Sequence, residues 1–249
     1  MKIIINGVCG RMGAEVEKLV SEGMRNSSLA CGIDINADPA KNSNYYKNFN
    51  DASSVCADCV IDFSHHSITK DLLDFCISKN LPVVLATTGH DEKELEEIKK
   101  ASEKIPVFFS ANMSLGVALL CELAKTAAKT MPDADIEIIE KHHNRKLDAP
   151  SGTALLLADA ISTVRNKAYY IFGRNGQRKR EKDEIGISSI RLGNIVGEHE
   201  VIIGTDTQTI TLKHEAHTRA LFAEGAISAA DFIVGKPAGL YNMNNIVSE

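Results

Sequence analysis

The opening segment of the chain places the strongest constraint on its fold. Lys2–Asn6 is a short apolar run typical of a buried β-strand, and the glycine-rich segment GVCGRMG follows it at residues 7–13. Apolar side chains then recur at helical spacing through residues 14–20. A strand, a glycine turn and a helix in this order place free backbone N–H groups at a helix N-terminus, where a pyrophosphate can bind. The chain is therefore predicted to begin with the first βα unit of a dinucleotide-binding domain.

The alternation of strands and helices continues through the first half of the sequence. Further strands are predicted at residues 29–34, 58–64, 81–86 and 106–110. This alternation predicts a parallel sheet with right-handed crossovers, and such sheets bind ligands at the carboxyl ends of their strands. Small or polar residues occupy the predicted loops at those ends, namely 7–13, Asp34, 63–64, 87–88 and 110–112.

Asp34 bears on the choice of cofactor. It ends the second predicted strand about 20 residues beyond the glycines, where a carboxylate accepts hydrogen bonds from the adenosine ribose. Ile35 follows at a place where an arginine could bind a 2′-phosphate. These two residues favour NADH over NADPH, whereas Arg11 and Lys41 leave NADPH open.

The pattern changes after Asn112, where the βα alternation stops. Helices are predicted at 115–130, 153–164 and 220–234, and strands at 135–140, 185–192, 199–204 and 208–214. Short connections favour a mostly antiparallel, open sheet. The predicted fold class is therefore α/β, with a Rossmann-type parallel-sheet domain (1–113, completed by 220–249) and an inserted α+β substrate domain (114–219). The exposed edges of an open sheet would be covered by oligomerisation.

The segment EKHHNRKLDAPSGT at residues 140–153 concentrates groups that suit catalysis. His142 and His143 exchange protons near neutral pH, and Lys146 adds a mobile positive charge. Ser151 or Thr153 is predicted to cap the following helix, leaving backbone N–H groups for an anion. Taken separately, these features are also typical of a solvated loop. A metal site is disfavoured, because no Cys or carboxylate stands at a spacing that completes a ligand set.

Composition excludes several other functions. The formal net charge of −5 gives no broad basic field, which argues against nucleic acid as a partner. The basic cluster at residues 177–182 is interrupted by acidic residues and is predicted to be a solvated loop that can reach a small anionic ligand. No apolar run is long enough to span a membrane, and the N-terminus lacks a signal-peptide pattern, so the prediction is a cytoplasmic protein.

The cysteines indicate the same compartment. Cys56 and Cys59 have CxxC spacing, but no second pair completes a zinc site, and a strand follows them where a redox motif would open a helix. All six cysteines are therefore predicted to be free thiols in a reducing environment.

Four motifs are distinctive when they are taken together. They are GxxGRMG at residues 7–13, EIIExHHxxKxDAPSGTA at 137–154, RxGxIVGEH at 191–199 and FAxGA at 222–226. In this combination the chain resembles the 4-hydroxy-tetrahydrodipicolinate reductase (dihydrodipicolinate reductase) family over essentially its whole length. The second motif is highly specific, whereas the glycine turn alone is not.

The resemblance implies an NAD(P)H-dependent oxidoreductase of lysine and diaminopimelate synthesis. Its substrate would be a small cyclic dicarboxylate, 4-hydroxy-tetrahydrodipicolinate, which gains a hydride at C4 and loses water. By the same resemblance His142 is a proton donor or acceptor and Lys146 a proton donor. His143 contacts the substrate, while Gly152 and Thr153 hold one of its carboxylates. Family members also form homotetramers through the substrate domain.

The resemblance also carries over a set of cofactor contacts. They are Gly7, Val8, Cys9, Gly10, Arg11, Met12, Asp34, Ala86, Thr87, Thr88, Ser110, Ala111, Asn112 and Met113. Three positions depart from the family pattern: Cys9 and Ala86 replace common glycines, and Ile35 replaces the arginine that some members use for NADP. None of the three touches the predicted proton-transfer residues.

Two other functions remain open on the sequence alone. One is a different two-domain nicotinamide dehydrogenase, acting on an amino acid or a semialdehyde. The other is a dinucleotide sensor that has lost turnover. The presence of both His142 and Lys146 argues against the sensor, which has no need of proton donors.

Overall fold

A computed structural model describes residues 1–248 of the chain. The chain divides into two compact units, one formed by Met1–Ser114 with the segment from Ala220 onward, the other by Leu115–Arg219. Within the described residues, no helix combines the length and apolar character needed to cross a membrane.

Strands and helices follow one another along the chain much as predicted. The strands of the described residues are β1 (Lys2–Asn6), β2 (Ser28–Ile33), β3 (Tyr45–Tyr46), β4 (Cys59–Asp62), β5 (Val83–Leu85), β6 (Pro106–Phe109), β7 (Asp135–His142), β8 (Tyr169–Phe172), β9 (Glu184–Arg191), β10 (Gly197–Gly204), β11 (Thr209–Ala216) and β12 (Gly239–Tyr241). The helices are α1 (Arg11–Ser21), α2 (Thr69–Lys79), α3 (Glu92–Ser102), α4 (Leu115–Thr130), α5 (Gly152–Ser162), α6 (Ala220–Ile233) and α7 (Met243–Val247).

The first unit is built on a parallel sheet with the strand order β12-β6-β5-β4-β1-β2-β3. Its central strand β4 and its neighbour β5 are buried along their whole length, as expected when helices cover both faces. The chain passes from β1 to β2 on one side and to β4 on the other. Such a reversal opens a crevice at the carboxyl ends of the strands. The edge strands β3 and β12 have too few residues to show a pattern, and the sequence did not predict them.

The second unit contains a five-stranded sheet in the order β11-β10-β7-β9-β8. The sheet is mixed where a mostly antiparallel one was expected: β10 pairs antiparallel with β7 and β11, while β9 pairs parallel with β7 and β8. The short link between β9 and β10 suggested a hairpin, but β7 lies between these two strands. Its alternating buried residues Ile136 and Ile138 need apolar neighbours on both sides, and β9 and β10 supply them.

One face of this sheet packs on helices α4 and α5. Ile136, Ile138, Ile187 and Val201 point into the shared core. The next inward position on β7 is Glu140, which lies in register with Ser189 of β9 and His199 of β10. β7 continues to His142, two residues beyond its predicted end, because both neighbouring strands keep pairing with it. An apolar strand therefore delivers a carboxylate and a histidine to one end of the sheet.

Candidate active site

The turn after β1 has the geometry of a phosphate-binding loop. Gly7 has a φ of 82°, and its N–H donates to the carbonyl of Ile33 at 2.8 Å. A Cβ at this position would lie 2.7 Å from the carbonyl oxygen of Phe63. Both the conformation and the close approach require glycine. Gly10 is the N-cap of α1, and no side chain caps this helix, so its first N–H groups are available to an anion.

A cleft of about 570 Å³ lies beside the N-terminus of α1. It brings together many of the predicted cofactor residues, namely Arg11, Met12, Ala86, Thr87, Thr88, Ala111 and Met113. Two further predicted cofactor residues, Ser110 and Asn112, do not line this cleft but fix the conformation of the loop after β6. Ser110 Oγ donates to the carbonyl of Asn112 at 2.7 Å, and Asn112 Oδ1 accepts from Ser114 N at 2.9 Å. Of the residues at the glycine turn, Val8 is buried and Cys9 is exposed.

A second cleft, of about 420 Å³, is lined by Gly7, Gly10, Asp34 and Ile35. The Asp34 carboxylate accepts from Cys9 N at 3.1 Å and from Asn36 N at 2.9 Å, which fixes its position beside the glycine turn.

The cation that lines this second cleft is Lys47. Lys41, which sequence reasoning had named, is instead 86% exposed and pairs with Asp38 at 3.6 Å. Lys47 follows a two-residue strand that leaves no recognisable pattern, so no signal in the sequence pointed to it.

Asp62 ties three loops of the first unit together. This buried carboxylate accepts from Asn6 Nδ2 at 2.7 Å, from Ser64 Oγ at 2.5 Å and from Thr87 Oγ1 at 2.7 Å. Burial raises the pKa of Asp62, although these hydrogen bonds act in the opposite direction. The loops after β1, β4 and β5 are thereby fixed relative to one another at the edge where the cofactor residues meet. The sequence did not predict this role.

In the second unit, His142 is held by a buried carboxylate. Its Nδ1 lies 2.6 Å from Glu140 Oε2, and the Glu140 side chain is fully buried. Arg191 donates to both oxygens of Glu140, at 2.7 and 2.8 Å. Burial alone would raise the pKa of Glu140, but the hydrogen bonds from His142 and Arg191 lower it well below its ordinary value. Glu140 therefore stays ionised.

Ser151 is the N-cap of α5, one of the two capping residues that the sequence had suggested. Its Oγ accepts from Ala154 N at 3.2 Å and lies 2.9 Å from His199 Nε2, while its own N–H donates to Glu140. Burial lowers the pKa of His199 to about 4, and the neighbouring His142 acts in the same direction, so the imidazole of His199 is neutral at pH 7. Gly152 and Thr153 form the first turn of α5, which contains no acidic residue.

His143 and Lys146 lie in the loop between His142 and Ser151. Lys146 Nζ pairs with Asp148 Oδ1 at 2.8 Å, and this hydrogen bond lowers the pKa of Asp148. Nδ1 of His143 is buried and has no hydrogen-bond partner among the described residues. Burial, followed by the positive charges of Arg145 and Arg219, lowers the pKa of His143. These positive groups around a neutral imidazole suit an anionic ligand.

Two arginines of the basic cluster at residues 177–182 form ion pairs within the second unit. Arg178 and Arg174 both pair with the buried Glu184, and Arg180 donates to Glu137 at 2.6 Å. The hydrogen bonds from Arg174 and Arg178 lower the pKa of Glu184 to about 2. Arg178 and Arg180 thus neutralise carboxylates on β9 and β7; most of the loop is exposed, as predicted, and its contact with a small anionic ligand stays a prediction.

Within residues 1–248, no group of three or more His, Cys, Asp or Glu side chains could hold a metal ion. The six cysteines are free thiols, of which Cys9 and Cys56 are exposed and the other four are buried.

Comparison with known proteins identifies the family. Models described as "Dihydrodipicolinate reductase, N-terminus" and "Dihydrodipicolinate reductase, C-terminus" match residues 1–113 and 116–247. The chain belongs to the dihydrodipicolinate reductase family. The 4-hydroxy-tetrahydrodipicolinate reductases of Caldanaerobacter subterraneus subsp. tengcongensis and Clostridium tetani are each 44% identical to it. The matches cover 100% and 98% of this chain and 99% and 96% of the relatives.

Solved structures agree with this assignment. A dipicolinate-bound dihydrodipicolinate reductase from Paenisporosarcina sp. TG-14 has a TM-score of 0.81 at 26% identity, covering 99% of both chains. A probable dehydrogenase from Thermotoga maritima shares the fold, with a TM-score of 0.62 at 12% identity, covering 97% of this chain and 91% of that one. The predicted family, the α/β fold class and the predicted reductase function in lysine and diaminopimelate biosynthesis are confirmed. Membership also supports binding of a nicotinamide dinucleotide.

Proposed function

We propose that residues 142–153 bind 4-hydroxy-tetrahydrodipicolinate and supply the proton that its reduction takes up, while the first unit holds NADH. The observation that supports this most directly is the arrangement around Glu140. One buried carboxylate holds both the imidazole of His142 and the N-terminus of α5. A proton-transfer group and a carboxylate-binding turn are thus fixed beside each other.

The glycine turn and the N-terminus of α1 support binding of the dinucleotide by the first unit. The uncapped N-terminus of α1 suits a pyrophosphate, and a side chain at Gly7 would fill the space the turn leaves. The residues proposed to hold the dinucleotide are the set predicted from sequence, joined by Lys47 and by Asp62 as a support. When bound, the reduced nicotinamide supplies the hydride to C4 of the substrate.

The dicarboxylate would bind at the first turn of α5. Gly152 and Thr153 present the positive end of the helix dipole there, and His143 lies among the cations that surround the loop. The Paenisporosarcina relative is described as bound to dipicolinate, a ring that also carries two carboxylates. That likeness supports a dicarboxylate in this chain.

His142 and Lys146 would handle the proton that the reaction needs. The C4 hydroxyl leaves as water only after taking up a proton, and a positioned acid lowers the barrier to that step. Lys146 Nζ pairs with Asp148 Oδ1 at 2.8 Å and its side chain is 21% exposed, so it would donate from a partly desolvated position.

Asp34 supports NADH as the preferred cofactor. Its carboxylate lines the smaller cleft, where it would accept from ribose hydroxyls and repel a 2′-phosphate. Ile35, which is 81% exposed, offers that phosphate no charge, while Lys47 allows NADPH to bind more weakly.

The second unit is proposed to form a homotetramer. The sheet face opposite α4 and α5 presents Ile139, Ile171, Ile190 and Ile202, which another copy could cover. The protein is also proposed to work in the cytoplasm. Its free thiols are consistent with a reducing compartment.

Parallel assays of NADH and NADPH oxidation, with the cyclic substrate generated in situ, test this function. Turnover with a higher kcat/KM for NADH is expected. Tight binding of both cofactors without substrate-dependent oxidation would instead favour a sensor, and oxidation only with other substrates would favour a different dehydrogenase.

Replacing Lys146 with Ala is expected to lower kcat by roughly 100-fold, the usual size of a general-acid effect. Asp148→Ala is the matched control, because it removes the partner of Lys146 but keeps the proton donor. A Lys146→Ala rate close to that of the unmodified enzyme would remove Lys146 from the mechanism.

A further inference from the structure

Glu140 is bonded from three directions. Arg191 of β9 donates to both of its oxygens, His142 of β7 approaches Oε2 at 2.6 Å, and the backbone N–H of Ser151 donates to Oε1 at 3.1 Å. No part of the side chain is exposed. A buried carboxylate with a bidentate guanidinium partner is an acceptor only, and it is held in one orientation.

This arrangement fixes which nitrogen of His142 faces a ligand. Because Glu140 can only accept, the hydrogen between the two residues belongs to Nδ1 of His142. Nε2 is then the nitrogen that can gain or lose a proton. It lies beside Gly197 of β10, where an added Cβ would come within 3.1 Å of it. The absence of a side chain at Gly197 leaves Nε2 its space.

The same carboxylate also fixes the anion-binding turn. Its bond to Ser151 N holds the residue that caps α5, and the Ser151 hydroxyl is held in turn by His199. His142 packs edge-on against His199, with ring centroids 5.2 Å apart. Glu140 therefore sets the distance between the imidazole of His142 and the first turn of α5.

We propose that Glu140, clamped by Arg191, is a positioning residue that fixes the tautomer of His142 and aligns it with the carboxylate-binding turn at Gly152. This rests on the proposed function of His142. Any proton that His142 exchanges with the substrate moves through Nε2, the hydrogen on Nδ1 stays in place, and Glu140 remains ionised. The role is that of the carboxylate behind a catalytic histidine.

A double-mutant cycle tests the proposal. Glu140→Gln keeps the shape but removes the charge, and it is expected to lower kcat by roughly 10- to 100-fold, the range typical of groups that orient a reacting ligand. In a His142→Gln background the same change should lower kcat no further. An equal loss in both backgrounds would show that Glu140 acts only through the general stability of the unit, which would overturn the proposal.

The cycle separates this proposal from the proposed function. If His142→Gln turns over normally, His142 is not the proton-transfer group and the proposed mechanism fails. If His142→Gln is impaired and Glu140→Gln is not, only the positioning role of Glu140 fails.

Two measurements keep the test decisive if Glu140→Gln does not fold. Nitrogen-15 NMR of the unmodified enzyme is expected to show hydrogen on Nδ1 of neutral His142, and the opposite tautomer would overturn the proposal. Gly197→Ala should lower kcat by about 10-fold or more by crowding Nε2. Gly204→Ala at the other end of β10, where an added Cβ comes no closer than 3.4 Å to any neighbour, is the control. Equal rates in the two variants would contradict the assignment of Nε2.

Discussion

Asp34 is the residue on which the proposed preference for NADH depends. Asp34→Ala removes the acceptor for the ribose hydroxyls, and hydrogen bonds to charged groups contribute about 1.5–3 kcal/mol. NADH binding should therefore weaken by roughly 10- to 100-fold. NADPH binding should change little, because its 2′-phosphate loses a repulsive neighbour. Fluorescence titration of the two reduced cofactors measures both effects.

Lys47 provides the matched comparison for Asp34. Both residues line the same cleft with opposite charges, so Lys47→Ala should weaken NADPH binding about threefold or more and leave NADH unchanged. If Asp34→Ala weakens the binding of the two cofactors equally, the carboxylate does not discriminate between them, and the proposed preference for NADH loses its basis.

His199 should make the stability of the enzyme depend on pH. Its pKa falls from an ordinary 6.5 to about 4 on folding, so the unfolded chain binds the proton more tightly. The contribution of His199 is therefore complete above pH 6.5 and is lost as the pH falls toward 4. Linkage gives a loss of about 2 kcal/mol in the free energy of unfolding between pH 7 and pH 5.

Urea unfolding at these two pH values measures the effect of His199. His199→Gln should reduce the loss on acidification by that amount, whereas His217→Gln, at an exposed position of the same unit, should leave it unchanged. A His199→Gln variant with the full acid sensitivity would show that another group is responsible.

Among the secondary-structure elements, α4 has a C-terminus whose carbonyls are bonded by one side chain from elsewhere in the unit, that of Arg165. Arg165, which follows α5, donates to the carbonyls of Ala128, Met131, Pro132 and Ala134. It thereby satisfies carbonyls at and beyond the C-terminus of α4, which have no partner within the helix. Arg165 thus adds to the bond from Ala134 N to the carbonyl of Met131 and fixes the segment between α4 and β7.

Arg165→Gln is expected to lower the free energy of unfolding by about 2 kcal/mol, because several carbonyls lose a charged donor at once. Lys167→Gln, an exposed change two residues away, is the control and should have no effect. Chemical denaturation followed by circular dichroism distinguishes them. Coincident unfolding curves for Arg165→Gln and the unmodified protein would contradict this reading of the helix end.

For the molecule as a whole, the outer face of the second sheet determines the predicted assembly. Ile190, 40% exposed, lies on that face, so Ile190→Glu should dissociate the proposed tetramer by placing a charge in its interface. Sedimentation velocity reports the change. Leu95→Glu, at a position 41% exposed on α3 of the first unit, should leave the assembly intact. A tetramer that survives Ile190→Glu would place the interface elsewhere.

Much of the fold could be predicted because its signals are local. The glycine turn, the apolar strands and the boundaries of α4 depend on neighbouring residues, and the structure has them where the sequence indicated. The mixed pairing of the second sheet could not be predicted in the same way. Strand order depends on which buried faces match, and residues 184–191 pair with β7, which lies far behind them in the chain.

The sequence by itself determined the family, the βα alternation and the grouping of His142, Lys146, Gly152 and Thr153, because these residues lie close together along the chain. Only the tertiary structure decided what holds them. Arg191 reaches Glu140 from 51 positions away, and His199 reaches Ser151 from 48. A glutamate in an alternating strand is normally expected on the solvent side; here Glu140 stands two positions after Ile138, so the alternation that buries Ile136 and Ile138 places it on the inner face as well. Burial then requires it to have partners, and the partners it finds are the groups that carry out the chemistry we propose.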